Sequence, residues 1–259
     1  MQWQQATITH FCAYTTYLYK YVDVSVKTIR TKLSALVHHY KIHLNHNPVY
    51  STALSKLLKA YSKEQTHDNR KPISSQILHK LLTFIPMSSA NQYYKDAFYV
   101  IYVFMYKMAL RISEIANYSR HFDHAIGYQD VYMDLVSNHL VITIRSAKHA
   151  QEPKIYNMRL YPRLKLIYNR FISARGTTIG PLFIHRNASH FSRSFILKTL
   201  RKHLFDIGEN PSLYNTHSFR IGRTSDLARQ GRSDRQIADI GRWSSNAFHT
   251  YIRPPPTQV

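Results

Sequence analysis

Cysteine is almost absent from this chain, since Cys12 is the single one among 259 residues. One thiol excludes a disulfide framework and any zinc finger built on cysteines, and it fits a reducing compartment. Long apolar runs are missing too, because the longest one, residues 97–110, is broken by Lys107 and is too short to span a bilayer. The start of the chain has no basic segment leading into an apolar stretch. We therefore expect neither a signal peptide nor a membrane partner.

Acidic residues are also scarce. Only 14 Asp and Glu stand against 35 Lys and Arg, and the formal net charge is +21. Because self-repulsion opposes the folding of such a chain, the excess indicates a polyanionic partner, of which nucleic acid is the commonest. An anionic membrane surface or a ribosome-like assembly are the alternatives. Residues 1–65 hold eight basic and two acidic residues, so both parts of the chain are expected to face the polyanion.

The hydrophobic pattern predicts two domains. Helical periodicity over residues 8–20, 25–45 and 51–62 indicates a helical domain spanning residues 1–65. Residues 66–73 are polar and without periodicity, which is typical of a linker, and residues 74–259 form the second domain. There, residues 131–135, 139–145 and 154–160 alternate or are β-branched and predict a three-stranded antiparallel sheet. The remainder reads as helix, so the fold class is mainly α with one small sheet.

Three details of the second domain concern helix ends. The apolar pattern predicts one helix from about residue 92 to 118, and another over residues 216–230. Gly231 and Gly241 stand where a helix end favours a left-handed residue. Ser233 and Gln236 have the spacing of a capping box.

The chemistry concentrates near the C-terminal end, in Thr216-His-Ser-Phe-Arg-Ile-Gly222 and in the segment from Gly241 to Arg253. His217 and Arg220 are three residues apart near the start of a predicted helix, where the helix dipole also favours an anion. Arginine binds phosphate oxygens in bidentate fashion, and histidine exchanges protons near neutral pH. In a basic, histidine-rich chain this spacing could also arise by chance.

Taken in order, these motifs resemble the tyrosine recombinase (phage integrase) family. The resemblance rests on the H-x-x-R motif, on Gly-Arg-Trp at 241–243, and on a tyrosine thirty-one residues after Arg220. Upstream, Ala109-Leu-Arg-Ile-Ser-Glu-Ile115 looks like the first-arginine motif of that family. The resemblance covers nearly the whole chain, and it implies a helical core-binding domain followed by an α+β catalytic domain.

The resemblance also assigns roles to single residues. Tyr251 is the nucleophile, Arg111 and Arg220 bind the phosphate, His217 assists proton transfer, and Glu114 is a supporting acid. The family carries its catalytic lysine in the hairpin between the second and third strands. Lys148 matches this position, and Lys154 is the reserve candidate.

One position departs from the family pattern. The residue nine before the nucleophile is usually His or Trp, whereas here it is Arg242, and Trp243 lies eight before Tyr251. Either side chain could fill that catalytic position, and Trp243 could instead pack as a hydrophobic buttress. The wording H-S-F-R-I-G, G-R-W and Y-I-R-P most resembles the recombinases of eukaryotic mobile elements such as Cryptons and DIRS-like retrotransposons.

The reaction implied by this resemblance is site-specific cleavage and rejoining of DNA through a 3′-phosphotyrosyl intermediate, for integration or excision of a mobile element. It needs no metal or cofactor, because fixed cations stabilise the transition state. The implied partner is double-stranded DNA with a specific target site, bound as a homotetramer by a chain that is a monomer or dimer alone. Localisation would be nuclear for a eukaryotic mobile element, and cytoplasmic or nucleoid-associated for a bacterial one. The alternatives are a type IB topoisomerase-like activity, or a domesticated DNA-binding protein that keeps the fold without catalysis.

Overall fold

The computed structural model describes residues 6–44, 51–64, 70–116, 125–145 and 153–253. The chain divides into two compact units, Met1–Asn69 and Arg70–Val259. Within the described residues the first unit consists of three helices, α1 (Ile8–Lys20), α2 (Val26–Leu44) and α3 (Thr52–Glu64). Their apolar stripes meet in one small core made of Phe11, Leu18, Val26, Ile29, Leu33, Tyr40, Leu54, Leu58 and Tyr61.

The polar face of this unit is basic. α1 and α3 are joined at their C-terminal ends, where the rings of Tyr19 and Tyr61 stack with centroids 4.1 Å apart. The helix α2 turns its cations outward, since Lys27, Arg30, Lys32 and Lys41 are all exposed. Exposed cations on one helix form a surface suited to a polyanion.

The second unit combines six helices with one sheet, as far as it is described. The helices are α4 (Ser75–Phe84), α5 (Gln92–Lys107), α6 (Pro162–Arg175), α7 (Arg193–Asp206), α8 (Ser218–Arg229) and α9 (Asp234–Gly241). The strands β1 (Val131–Asp134), β2 (His139–Ile144) and β3 (Lys154–Arg159) form an antiparallel sheet in the order β1-β2-β3. Ile142 stands opposite both Val131 and Tyr156 in this register. The predicted fold class, mainly α with a small three-stranded sheet, is confirmed.

Helix α5 lies at the centre of the second unit and is buried on almost every side from Tyr93 to Tyr106. Across the described ranges, no helix combines the length and apolarity needed to cross a membrane. The expected helix over residues 92–118 is wrong over residues 108–116, and residues 117 and 118 lie outside the described residues. Ala109 takes a left-handed conformation with φ of 46°, which ends α5 and turns the chain. Arg111 is then extended and leads into a 3₁₀ turn, Ile112–Glu114, so it lies in a sharp turn instead of on a helix face.

Helix α8 carries the H-x-x-R motif and is fixed from the side by the start of the second unit. The backbone N–H of Ile73 donates to the carbonyl of Ser218 at 2.9 Å, and the N–H of Lys71 donates to that of Leu213 at 2.7 Å. This close approach depends on Gly222, because a Cβ atom there would lie 1.8 Å from the carbonyl oxygen of Ile73.

We therefore expect Gly222→Ala to lower the free energy of unfolding by about 1–3 kcal/mol, as overpacking does elsewhere. At an open helix position the same change would stabilise by about 1 kcal/mol, so the sign of the effect is diagnostic. Urea unfolding of both proteins measures it. A stabilised variant would show that Ile73 moves away freely.

His203 on α7 is buried, and its ring Nδ1 lies 2.9 Å from the hydroxyl of Tyr102. Burial, with a smaller effect of Lys202, lowers the pKa of His203 from 6.5 to about 4. Between these values the unfolded state binds a proton that the folded state does not. The stabilisation is therefore complete above pH 6.5 and is lost as the pH falls towards 4.

This pKa shift predicts that the free energy of unfolding is about 2 kcal/mol lower at pH 5 than at pH 7 because of His203 alone. Urea unfolding of the wild type and of a His203→Leu/Tyr102→Phe double variant isolates the contribution of His203 to this pH dependence. The other titrating groups are common to both proteins. Equal pH dependence in the two proteins would contradict the prediction.

Candidate active site

Side chains from four separate segments meet at the N-terminal end of α8. They come from the turn after α5, from α8 itself, from the turn after α9, and from the 3₁₀ helix Asn246–Tyr251. Seven predicted site residues lie in this cluster: Arg111, Glu114, His217, Arg220, Arg242, Trp243 and Tyr251. Lys148, the eighth, lies outside the described residues, within the segment 146–152.

Arg220 is the centre of the cluster and is only 1% exposed. Its guanidinium is held by two backbone carbonyls: Nη1 donates to Ala109 at 2.5 Å, and Nη2 donates to Gly241 at 2.6 Å. Its Cζ atom lies 3.8 Å from the ring centroid of Trp243 and 5.7 Å from that of Tyr251. Among the described residues, Nε has no hydrogen-bond partner. Two carbonyls thus fix the orientation of the guanidinium, and its Nε–H donor is left without a protein acceptor among the described residues.

The charge of Arg220 is energetically costly in this position. Burial, followed by the neighbouring cations Arg111 and Arg242, lowers the pKa of Arg220 to about 9, while Glu114 and Tyr251 act in the opposite direction. A bound anion would relieve this penalty, because it would neutralise a cation that the protein alone leaves partly uncompensated. A phosphate group, with two oxygens that match a guanidinium, is such an anion.

The side chains of Trp243 and Arg242 point to different partners although the two residues are neighbours in sequence. The left-handed residue at the end of α9 is Arg242, with φ of 57°, so the expectation that Gly241 fills that position is wrong. Gly241 is needed for another reason, because a Cβ atom there would lie 1.5 Å from the Trp243 ring. The indole consequently packs close to the backbone of Gly241, over Arg220 and with its centroid 5.3 Å from that of Tyr251.

Arg242 is directed into the protein, where its side chain is 4% exposed. It donates to the carboxylate of Glu114 at 2.7 Å, to the hydroxyl of Tyr156 at 2.6 Å and to the carbonyl of Met108 at 3.0 Å. The same Glu114 oxygen accepts the backbone N–H of Arg111 at 2.7 Å. Glu114 therefore joins the turn that holds Arg111 to the turn that holds Trp243. Of the pair Arg242 and Trp243, it is the tryptophan that contacts Tyr251.

Tyr251, the last residue of the 3₁₀ helix Asn246–Tyr251, is the most C-terminal member of the cluster. Its ring lies 4.9 Å from the His217 ring, centroid to centroid, and His217 is the N-cap of α8. The backbone here is anchored by Ser225, whose Oγ lies 3.2 Å from the Tyr251 carbonyl and accepts the N–H of Arg253 at 2.9 Å. The phenol is half-buried, between an imidazole and a guanidinium. The Tyr251 ring thus has the imidazole of His217 and the positive charge of Arg220 as neighbours.

Lys154, the reserve candidate for the lysine, is placed at the start of β3 and forms an ion pair with Asp239 on α9. The pair is exposed to solvent, and it ties the sheet to α9 beside the Arg242 turn. Lys148 stays the matching position for the lysine, and Lys154 stays the reserve candidate.

Two residues of this region were not found from the sequence. Tyr156 and Ser225 act through hydrogen bonds to backbone groups and to Arg242, and no sequence motif signals such contacts. The strand pattern places Tyr156 on one face of β3 but does not indicate its partner. Ser225 lies five residues after Arg220 and could be recognised only as a buried position of α8.

As a chemical environment, the cluster combines three arginines with a tyrosine hydroxyl and an imidazole. Arg111 remains 29% exposed on its side chain, so part of its guanidinium is open to a ligand from solvent. The carboxylate of Glu114 is 2% exposed and is paired with Arg111 and Arg242. Among the described residues, no three His, Cys, Asp or Glu side chains gather as a metal site. Fixed cations beside a tyrosine hydroxyl are suited to attack on a phosphodiester.

Comparison with known proteins gives matches at the level of structure alone. No family model matches the sequence. No curated protein matches it either. Among solved structures, the integrase of the transposon Tn1549, in complex with circular intermediate DNA, is 15% identical with a TM-score of 0.68. The match covers 98% of this chain and 83% of the integrase.

Two further structures extend this result. The XerH recombinase bound to a palindromic difH substrate is 11% identical, with a TM-score of 0.73 over 96% of this chain and 69% of XerH. A lambda integrase dimer bound to a COC′ core site is 12% identical, with a TM-score of 0.64 over 99% of this chain and 67% of that one. At these identities the likeness concerns the fold. The chain has the fold of the tyrosine recombinases and integrases.

Proposed function

We propose that this protein is a site-specific recombinase or integrase, which cleaves and rejoins double-stranded DNA through a covalent bond between Tyr251 and a 3′-phosphate. One observation carries the proposal, namely that the Tyr251 ring lies between His217 and the buried guanidinium of Arg220. A tyrosine hydroxyl, a proton acceptor and fixed cations are the parts that metal-free transesterification of a phosphodiester requires.

In the proposed reaction the hydroxyl oxygen of Tyr251 attacks the phosphorus, and its proton passes to His217. Arg111 and Arg220 neutralise the charge that develops on the non-bridging oxygens. The bond from phosphorus to the 5′ oxygen breaks, and this oxygen leaves as a hydroxyl after taking a proton, for which Lys148 is the proposed donor. The reverse attack by a 5′-hydroxyl rejoins the strand. No external energy source is needed, because each phosphoester bond broken is replaced by another.

Charge and exposure support duplex DNA as the substrate. The net charge of +21 is spread over both units, and α2 presents exposed basic residues in the first. In the second, Arg193, Lys198, Arg201 and Lys202 are exposed along α7. The Tn1549 integrase, XerH and lambda integrase, whose fold this chain shares, were all solved on DNA. We propose that the two units bind the duplex together.

A narrower assignment, to one kind of recombinase, rests on the sequence motifs alone. The H-S-F-R-I-G, G-R-W and Y-I-R-P segments support a recombinase of a eukaryotic mobile element of the Crypton or DIRS-like kind. Transposition by a homotetramer on DNA, in the nucleus, follows from that assignment as a proposal. A specific target site is part of it as well.

The test is whether the protein forms a covalent adduct with DNA, and a randomised pool of duplexes removes the need to know the target site beforehand. We would incubate the protein with nicked duplexes that carry a randomised central segment, and separate adducts on a denaturing gel. A label at the 5′ end of the cleaved strand should stay with the protein, since the bond is to the 3′-phosphate. Sequencing the attached DNA should reveal one enriched site.

Other outcomes assign the protein elsewhere. An adduct with every sequence, together with relaxation of supercoiled plasmid without pairing of two sites, would indicate a type IB topoisomerase-like activity. Tight binding to duplex DNA with no adduct on any member of the pool would indicate a DNA-binding protein that keeps the fold without catalysis.

A further inference from the structure

We propose that Tyr156 is a positioning residue of the active site, which acts through Arg242 to hold Trp243 against Arg220 and Tyr251. The inference rests on the proposed function and deepens it. Tyr156 lies on β3, two residues after Lys154, the reserve candidate for the lysine, and no sequence motif marks Tyr156 itself. Its hydroxyl is nevertheless hydrogen-bonded on both sides within the turn that follows α9.

The hydroxyl of Tyr156 acts as donor and acceptor at once. It donates to the carbonyl of Ile240 at 2.7 Å and accepts from Nη1 of Arg242 at 2.6 Å. Burial raises the pKa of Tyr156 although Arg242 opposes this, so the phenol keeps its proton and remains a donor at neutral pH. Both bonds end on the last turn of α9, one on its backbone and one on the side chain that ends it.

The turn held in this way is strained, which is why it needs support. Arg242 is a non-glycine residue in the left-handed region, with φ of 57°. Such a conformation persists only where the surroundings over-determine it. Here the guanidinium is fixed by Glu114, Tyr156 and the carbonyl of Met108 together. Each of these bonds contributes to keeping the backbone in the conformation that ends α9.

The next residue along the chain is Trp243, and its placement follows from the turn. Its backbone N–H donates to the carbonyl of Ala238 at 2.9 Å, which requires the left-handed residue before it. The indole then covers Arg220 at 3.8 Å and contacts the Tyr251 ring. Removing the hydroxyl of Tyr156 should loosen this arrangement, because Arg242 loses its only acceptor from the sheet within the described residues. The Tyr251 phenol and the Arg220 guanidinium would then be less often in the correct orientation for attack on a DNA phosphate.

The hydroxyl of Tyr156 also connects the sheet to Arg111. From Tyr156 the contacts run through Arg242 to Glu114, and from Glu114 to the backbone N–H of Arg111. Tyr156 does not touch Tyr251, so its contribution is to geometry and not to proton transfer. A substitution that keeps the ring and deletes the oxygen separates this role from simple packing.

The experiment compares Tyr156→Phe with Tyr161→Phe, a matched loss of a phenol oxygen at a residue that is 59% exposed. Single-turnover cleavage by Tyr156→Phe should be about 10- to 30-fold slower, which corresponds to one lost hydrogen bond to a charged group. Its affinity for duplex DNA should be unchanged. Tyr161→Phe should match the wild type in both measurements.

A second readout does not depend on activity. In a Trp3→Phe background Trp243 is the only tryptophan, so its fluorescence and near-ultraviolet circular dichroism report its packing on Arg220. We expect both signals to change in Tyr156→Phe and not in Tyr161→Phe. Wild-type cleavage with Tyr156→Phe, or slow cleavage with unchanged Trp243 signals, would overturn the proposal. A wild type that forms no adduct would refute the proposed function, whereas the Trp243 signals would still decide whether Tyr156 positions this turn.

Discussion

Tyr251→Phe is expected to abolish the covalent protein–DNA adduct and to lower strand cleavage by at least about a thousand-fold. The change removes one oxygen atom, the one that would form the bond to phosphorus. The remaining ring can keep its contacts with His217 and Trp243, at 4.9 and 5.3 Å between centroids. Affinity for duplex DNA and the free energy of unfolding should therefore stay near those of the wild type. The denaturing gel with labelled duplex measures the adduct directly.

The matched control is Tyr132→Phe, which deletes a phenol oxygen at an exposed position of β1. This variant should form the adduct at the wild-type rate. The chain has 20 tyrosines, so a persisting adduct in Tyr251→Phe would assign the nucleophile to another of them. Mapping the phosphotyrosyl peptide by mass spectrometry would then identify it.

Much of the fold could be predicted from the sequence because its signals are local. The periodicity of α2 and the alternation of β2 depend on one face being buried, and that pattern is visible in a single chain. The spacing from His217 to Arg220 likewise fixes their place on one helix end, whatever the surroundings are. Elements of this kind were found to within a few residues.

The turns of the site could not be predicted, because tertiary contacts stabilise them. Nothing in the sequence after Lys107 marks the left-handed Ala109, and the apolar pattern runs on through it. The turn exists because Arg220 donates to the Ala109 carbonyl and Glu114 accepts from the N–H of Arg111. Both partners are set by parts of the chain that the local pattern does not include.

The same reason explains the ambiguity between Arg242 and Trp243. Two adjacent residues point to different sides of a turn, and the sequence does not reveal which side faces the nucleophile. The left-handed conformation of Arg242 decides it, since that conformation directs the arginine to Glu114 and leaves the indole on Arg220. Spacing counted from Tyr251 leaves both residues open, whereas the structure places the Trp243 ring against that of Tyr251.

The buried carboxylate of Glu114 is a position where a single change should strongly destabilise the fold. It is 2% exposed and accepts from Arg242, itself 4% exposed on its side chain, and from Arg111. We expect Glu114→Gln to lower the free energy of unfolding by about 3–5 kcal/mol, because the amide keeps the shape but leaves the buried guanidinium without a counter-charge. Urea unfolding followed by tryptophan fluorescence measures the difference.

Two further variants separate charge from shape in this prediction. Asp206→Asn removes a carboxylate from the more exposed Lys202–Asp206 pair and should change the free energy of unfolding by less than about 1 kcal/mol. The double variant Glu114→Gln/Arg242→Met removes the isolated buried cation and should be more stable than Glu114→Gln alone. If Glu114→Gln cost no more than Asp206→Asn, Arg242 would not depend on this carboxylate, and the turn would be held by Tyr156 and the Met108 carbonyl instead.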